Sequence, residues 1–354
     1  MPPPIRVAVV GGGQIANAVH MPTFRKLPED IEVVAVVDAT EDLARSFASR
    51  WEIPHASGDL DATLAEVKPD LVDIASPPSL HREQAVAALR AGAWVWCEKP
   101  PCLSLEEYDA IAAAERDGGP YASIVFQQRF GSGAQHLRRL IESGALGAPY
   151  VAHCQTTWYR DPAYYAVPWR GRWATEGGGP AMGLGIHQID LLLELLGDWR
   201  EVRAMAGRLA RDIETDDVTT ALVRFESGAL ATVVNTALAP RQVSHLRIDL
   251  AAATFELSHL YGYANDDWTC TPAPGTGQIP WPPPRDESSS HLGQLRGLIA
   301  DLRAGRRPRA SGDDGRNSLE LISAMYRAAQ TGETVRRGQI VAGDPFYSSL
   351  EITL

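Results

Sequence analysis

Cysteine is scarce in this 354-residue sequence, with four residues, Cys97, Cys102, Cys154 and Cys270, in neither CxxC spacing nor a His/Cys cluster. Neither a zinc site nor a disulfide framework is expected, and no metal is implied. There is no run approaching the roughly 18 apolar residues that a membrane-spanning helix needs. The opening MPPPIRVAVVGGG has no basic n-region and no small-residue cleavage site, so the expectation is a cytoplasmic protein. Positive charge is also short. Thirty-three Lys and Arg against 44 Asp and Glu leave a net charge of −11, a field that repels phosphate backbones and anionic bilayers. Nucleic acid and membrane are not expected partners. With 45% hydrophobic and 22% charged residues, the composition also excludes extended disorder.

What the sequence has in some excess is glycine and proline, 31 and 25 residues, gathered at 11–13, 77–78, 100–101, 177–180 and 272–284. The length suggests two domains at roughly 150 residues each. Ile5 to Val10 is a β-branched run without polar alternation, as in a buried parallel strand. Strands then recur at 32–38, 71–75, 94–97 and 122–126, alternating with helices at 41–50, 80–91 and 104–117. That rhythm predicts a doubly wound α/β domain over residues 1–126.

After residue 126 the pattern changes, and a second domain is expected over 127–354. A helix from Ala134 to Ser143 opens it, and strands follow at 149–157, 201–209, 217–226, 228–237 and 245–251. Tight turns such as Glu226-Ser227-Gly228 make successive strands antiparallel, so the expected class is α+β with an open, mainly antiparallel sheet. A helix from Pro180 to Leu196, capped by Gly197, interrupts the strands. Residues 272–284 read as a loop, 288–304 and 315–331 as helices, and the last 15 residues as an edge strand.

Gly11-Gly12-Gly13-Gln14-Ile15-Ala16 contains G-x-G-x-x-A directly after a strand and at the start of a helix, and Asp38 ends the second strand. This is the dinucleotide fingerprint. Gly11 permits the turn, Gly13 lets the backbone approach a pyrophosphate, and Gln14 and Ile15 open the helix whose N–H groups meet the anion. The Asp38 carboxylate suits two ribose hydroxyls and repels a 2′-phosphate, which favours NAD; Arg45 nearby leaves NADP open. Glu98-Lys99-Pro100-Pro101 follows a later strand at the edge of the sheet where such folds place ligands. Pro100 keeps Lys99 out of helical geometry, and Lys99 is a candidate proton donor.

These motifs, with Ser76-Pro77-Pro78-Ser79-Leu80-His81, Gln127-Gln128-Arg129-Phe130 and Gly177-Gly178-Gly179 leading to His187-Gln188-Ile189-Asp190, resemble the Gfo/Idh/MocA oxidoreductases along the whole chain. The resemblance implies an N-terminal Rossmann domain, a C-terminal α/β domain and an active site between them. It implies that Lys99 works with His187, and that Ser76, Pro77, His81, Glu98 and Gln127 line the nicotinamide side. One segment departs from the family pattern. An acid or Asn commonly stands four residues before the histidine, and here that residue is Gly183. Asp190, three residues after His187, is the alternative group to orient the imidazole, or else it only supports the helix.

An aromatic and basic segment precedes the glycines and includes Tyr159, Trp169 and Arg170. Aromatic faces pack on the C–H faces of sugar rings, so a sugar or polyol is the expected substrate, touching Lys99, Tyr159, Trp169, Arg170, Gly183 and His187. The expected reaction interconverts a secondary alcohol and a ketone by hydride transfer. The alternatives are a redox-neutral, NAD-dependent glycoside-processing enzyme and a non-catalytic NAD-binding regulator. A homodimer or homotetramer is expected.

Overall fold

A computed structural model describes residues 2–259 and 261–354, and the chain divides into two units. The first holds the residues up to Cys102, then Glu106–Val125 and Gln294–Arg316. Its strands are β1 (Ile5–Val10), β2 (Ile31–Val37), β3 (His55–Ser57), β4 (Leu71–Ile74), β5 (Trp94–Cys97) and β6 (Ala122–Ile124). They form one sheet in the order β3-β2-β1-β4-β5-β6, parallel throughout. This is the dinucleotide-binding order, which reverses direction between β1 and β4. The strands are apolar because helices cover both faces: Val7, Val9, Leu71, Val72 and Val95 are wholly buried. β3 was not foreseen, since three half-buried residues carry no readable period.

The return of residues 294–316 to this unit was not foreseen either. It completes β6: the Ile124 N–H donates to the Ala310 carbonyl at 2.8 Å, and Gln294 Nε2 donates to the Ile124 carbonyl at 2.6 Å. An edge strand otherwise presents unpaired backbone groups.

The second unit holds Leu103–Leu105, Phe126–Gly293 and Asn317–Leu354. Its strands are β7 (Pro149–Tyr159), β8 (Trp199–Gly207), β9 (Val218–Phe225), β10 (Leu230–Thr236), β11 (Leu238–Leu250), β12 (Ala253–Ser258), β13 (Trp268–Pro272) and β14 (Val335–Arg336). The order is β13-β12-β11-β7-β10-β9-β8-β14. Neighbours are antiparallel except β7 and β10. The helix Ile186–Leu196 packs on β7 and β11 and is buried on nearly every side. In β9, Thr219, Ala221, Val223 and Phe225 face inward while the residues between them face out.

β12 and β13 were not anticipated. The edge strand is at Val335–Arg336 instead of in the last residues, which hold a short helix, Pro345–Ser348. Residues 273–290 contain no regular element. Among the described residues, no helix is long and apolar enough to cross a membrane.

Candidate active site

In the first unit the glycine loop leaves β1 at the point where the strand order reverses. Gly11 has φ +93°, and a Cβ there would lie 2.7 Å from the Ser76 backbone nitrogen, so only glycine lets the loops after β1 and β4 touch. Gly13 differs, because nothing lies within 4 Å of where its Cβ would be. Its exposed backbone, followed by exposed Gln14 and half-buried Ile15, leaves the open approach that a pyrophosphate needs at a helix start. Asp38 is held by two backbone donors, with Oδ2 accepting from Gly12 N–H at 2.8 Å and Oδ1 from Ala39 N–H at 2.7 Å. Arg45, the residue that left NADP open, has its guanidinium 2.5 Å from Glu41 Oε1. The residues fit NAD.

The loops after β4 and β5 are tied together by His81. Its Nε2 lies 2.8 Å from the Ser76 carbonyl and its Nδ1 2.9 Å from the Pro100 carbonyl. Burial holds its pKa below the usual histidine value, against the pull of those two carbonyls, and the neutral ring donates to one of them at a time. Pro77 sits at the start of the turn Pro78–Leu80, and its carbonyl accepts from Leu80 N–H at 3.0 Å. Ser76 Oγ donates to Gln84 at 2.6 Å.

Glu98 Oε2 accepts the backbone N–H of Lys99 at 3.1 Å. Its Oε1 lies 3.0 Å from His20 Nε2, while His20 Nδ1 lies 2.8 Å from Asp73 Oδ1. Burial alone would push the His20 pKa down, but the Asp73 carboxylate and then Glu98 outweigh it and raise it to about 10. His20 is therefore an imidazolium bridging two buried carboxylates, directly behind half-buried Lys99. His20 and Asp73 were not identified from sequence, although an aspartate inside an apolar strand signals a buried partner.

In the second unit, Gly177-Gly178-Gly179 is drawn tightly against its surroundings. Gly179 N–H donates to Asp216 Oδ1 at 3.0 Å, and Tyr326 Oη donates to the same carboxylate at 2.7 Å. Burial raises the Asp216 pKa to about 6 despite hydrogen bonds from Thr219, Tyr326 and Gly179. A π-helical turn, Ala181–Gly185, then enters the helix of His187. Such turns are frequent at functional sites. His187 is 3% exposed, and its ring meets Tyr261 edge to face at 5.7 Å between centroids.

Asp190 is wholly buried, and both its oxygens are engaged by Arg129, with Nε to Oδ2 at 2.6 Å and a terminal nitrogen to Oδ1 at 2.5 Å. Ser318 Oγ also donates to Oδ1, at 3.0 Å. Arg129 further reaches Glu194 at 3.0 Å, so this acid braces the helix against the segment after β6. Gln127 in that segment is buried, and its Oε1 has no hydrogen-bond partner among the described residues.

The aromatic segment separates into two groups. The Arg170 guanidinium lies 3.9 Å from the Tyr164 ring centroid and 4.4 Å from that of Trp169. Exposed Tyr159 pairs with Arg211 at 5.2 Å. Arg170 also comes within 3.7 Å of Glu176, a buried acid that sequence reasoning missed. Glu176 Oε2 accepts from Gly171 N–H at 2.6 Å, and its Oε1 lies 3.1 Å from the position of a Cβ on Gly183.

Residues 5–125 match the oxidoreductase family with an NAD-binding Rossmann fold, and residues 134–256 match the GFO/IDH/MocA C-terminal domain. D-apiose dehydrogenase of Paraburkholderia graminis is 30% identical over 97% of this chain and 92% of its own length. The chain belongs to the Gfo/Idh/MocA family. Another relative in the family is D-glucoside 3-dehydrogenase of Escherichia coli, 28% identical over 94% of this chain and 97% of that protein. Among solved structures, the WlbA dehydrogenase from Bordetella pertussis, in complex with NADH and UDP-GlcNAcA, is similar with a TM-score of 0.83 and 28% identity, covering 94% of this chain and 98% of that one. As a member, the chain is an NAD-binding oxidoreductase.

Proposed function

We propose that this enzyme interconverts a secondary alcohol and a ketone on a sugar or related polyol, with Lys99 and His187 in proton transfer. The observation that carries this reading is the construction around Lys99. Its backbone is fixed by Glu98, which is itself locked by His20, and the following Pro100 is tied through His81. A lysine held this firmly beside a dinucleotide loop is suited to chemistry on one hydroxyl. The relatives named for D-apiose and D-glucosides supply the substrate class.

Bound NAD supplies the hydride chemistry. Lys99 hydrogen-bonds the carbinol oxygen and takes up its proton, and His187 shares that proton traffic. Ser76, Pro77 and His81 shape the loops against which the cofactor lies. A positioned acid–base group contributes about 10² to 10⁴ in rate, so Lys99→Ala should lower turnover by that factor while NAD binding, measured by calorimetry, persists. Near-normal turnover in this variant would defeat the assignment. Net NADH formation over a panel of sugars and polyols separates a dehydrogenase from redox-neutral chemistry.

The assembly we infer is homo-oligomeric, through the open face of the second sheet. Met205, Leu222, Leu230 and Val151 share that face by register and are exposed by 76, 64, 48 and 38%, an apolar grouping that single surface residues do not make.

A further inference from the structure

We propose that Glu176 supplies, from the preceding helical turn, the carboxylate that position 183 lacks, and that its Oε1 accepts a hydrogen bond from a substrate hydroxyl beside His187. The proposal rests on the sugar or polyol dehydrogenase reading above.

Four observations lead to it. First, Glu176 and Gly183 share one small volume, because a Cβ on Gly183 would lie 3.1 Å from Glu176 Oε1. An acidic side chain at 183 would bring two carboxylates into contact, so the chain holds one acid or the other there. Second, the Glu176 side chain is only 7% exposed, and burying a carboxylate is costly. Its charge is met in part by Gly171 N–H and by the Arg170 guanidinium. Third, the Gly171 contact fixes Oε2 and so aims Oε1 at Gly183. Gly183 precedes His187 by four residues, which places the two on one helix face. Fourth, Arg170 stands 3.7 Å from Oε1 and is itself stacked between Tyr164 and Trp169. An aromatic surface, a guanidinium and a carboxylate together make the donor and acceptor set that a polyhydroxylated ring requires.

The test compares the full-length wild type with Glu176→Gln, Gly183→Asp and the double variant. Each is saturated with NAD and presented with myo-inositol, D-glucose, D-xylose and methyl β-D-glucoside. Initial rates of NADH formation and calorimetric binding of each compound to the NADH-loaded protein are measured, with melting temperature as the control. Glutamine at 176 retains an oxygen for Gly171 N–H but gives up the charge pair with Arg170, so Glu176→Gln should lower the melting temperature slightly while the protein stays folded, and lose about 10- to 100-fold in kcat/KM, as for a hydrogen bond to a charged group. Gly183→Asp should lose activity through contact between the acids. The double variant should recover most of the loss, because one carboxylate is again present on the same face. Such reciprocal rescue is not expected of a merely structural glutamate.

Wild-type kcat/KM in Glu176→Gln, or a double variant no better than the worse single one, overturns the proposal alone. A wild type that binds a sugar without forming NADH overturns the dehydrogenase reading, and the four binding constants then decide the role of Glu176. A wild type that neither binds nor oxidises any compound overturns both.

Discussion

A buried ion cluster stands in each unit behind the residues proposed to act. In the first, His20 lies between Asp73 and Glu98; in the second, Arg129 lies between Asp190 and Glu194. Each places one cation between two carboxylates and ties a functional segment to the framework, Lys99 in one case and the His187 helix in the other. The cations differ. A guanidinium keeps its charge at any relevant pH and offers five donors in a rigid fork, which matches the bidentate grip on Asp190. An imidazolium offers two donors, and its charge persists here only because its neighbours outweigh its burial. The same electrostatic problem is solved once with a permanent charge and once with a charge that pH can remove.

Breaking the permanent cluster should have the largest effect. Arg129→Met takes the bidentate cation from buried Asp190, while Glu194 keeps Arg138 at 2.9 Å, and should cost about 3–5 kcal/mol in urea unfolding, with little dependence on pH between 7 and 10. His20→Leu should cost about 3 kcal/mol at pH 7 by the same logic, and this cost should shrink towards pH 10. The sign follows from linkage. The folded His20 pKa is raised, so its contribution is complete below pH 6.5 and is lost as pH rises through about 10. Equal costs for His20→Leu at pH 7 and pH 10 would show that the imidazole is not the titrating charge. The smallest effect belongs to Arg45→Ala, which removes an exposed pair with Glu41 and should change stability by less than about 0.5 kcal/mol. Burial, not the mere presence of opposite charges, separates this last case from the others.

The NAD-binding Rossmann fold was readable from sequence because its signals are local. Gly11, Gly13 and Asp38 sit at fixed offsets from two strands whose β-branched runs need no distant information. Lysine occurs only at positions 26, 68 and 99, and its placement before Pro100 at a strand end singled out Lys99. The doubly wound, parallel character of the first sheet also followed from the alternation of strand and helix. What escaped depends on distant partners. Asp190 lies three residues from His187, but the Arg129 that grips it lies 61 positions away. Glu176 reads as an ordinary acid until the space above Gly183 is seen. β3 and β14 are too short for periodicity, and the helix near 291–304 was legible while its allegiance to the first unit was not.

The return of residues 294–316 to the first sheet has a consequence for biosynthesis. Until Ala310 has been made, the Ile124 N–H lacks its acceptor, and until Gln294 has been made the Ile124 carbonyl lacks its donor. The nucleotide-binding unit, first to leave the ribosome, therefore waits for nearly the whole of its neighbour to be translated before its last strand is secured, and no single cut in the chain releases it complete.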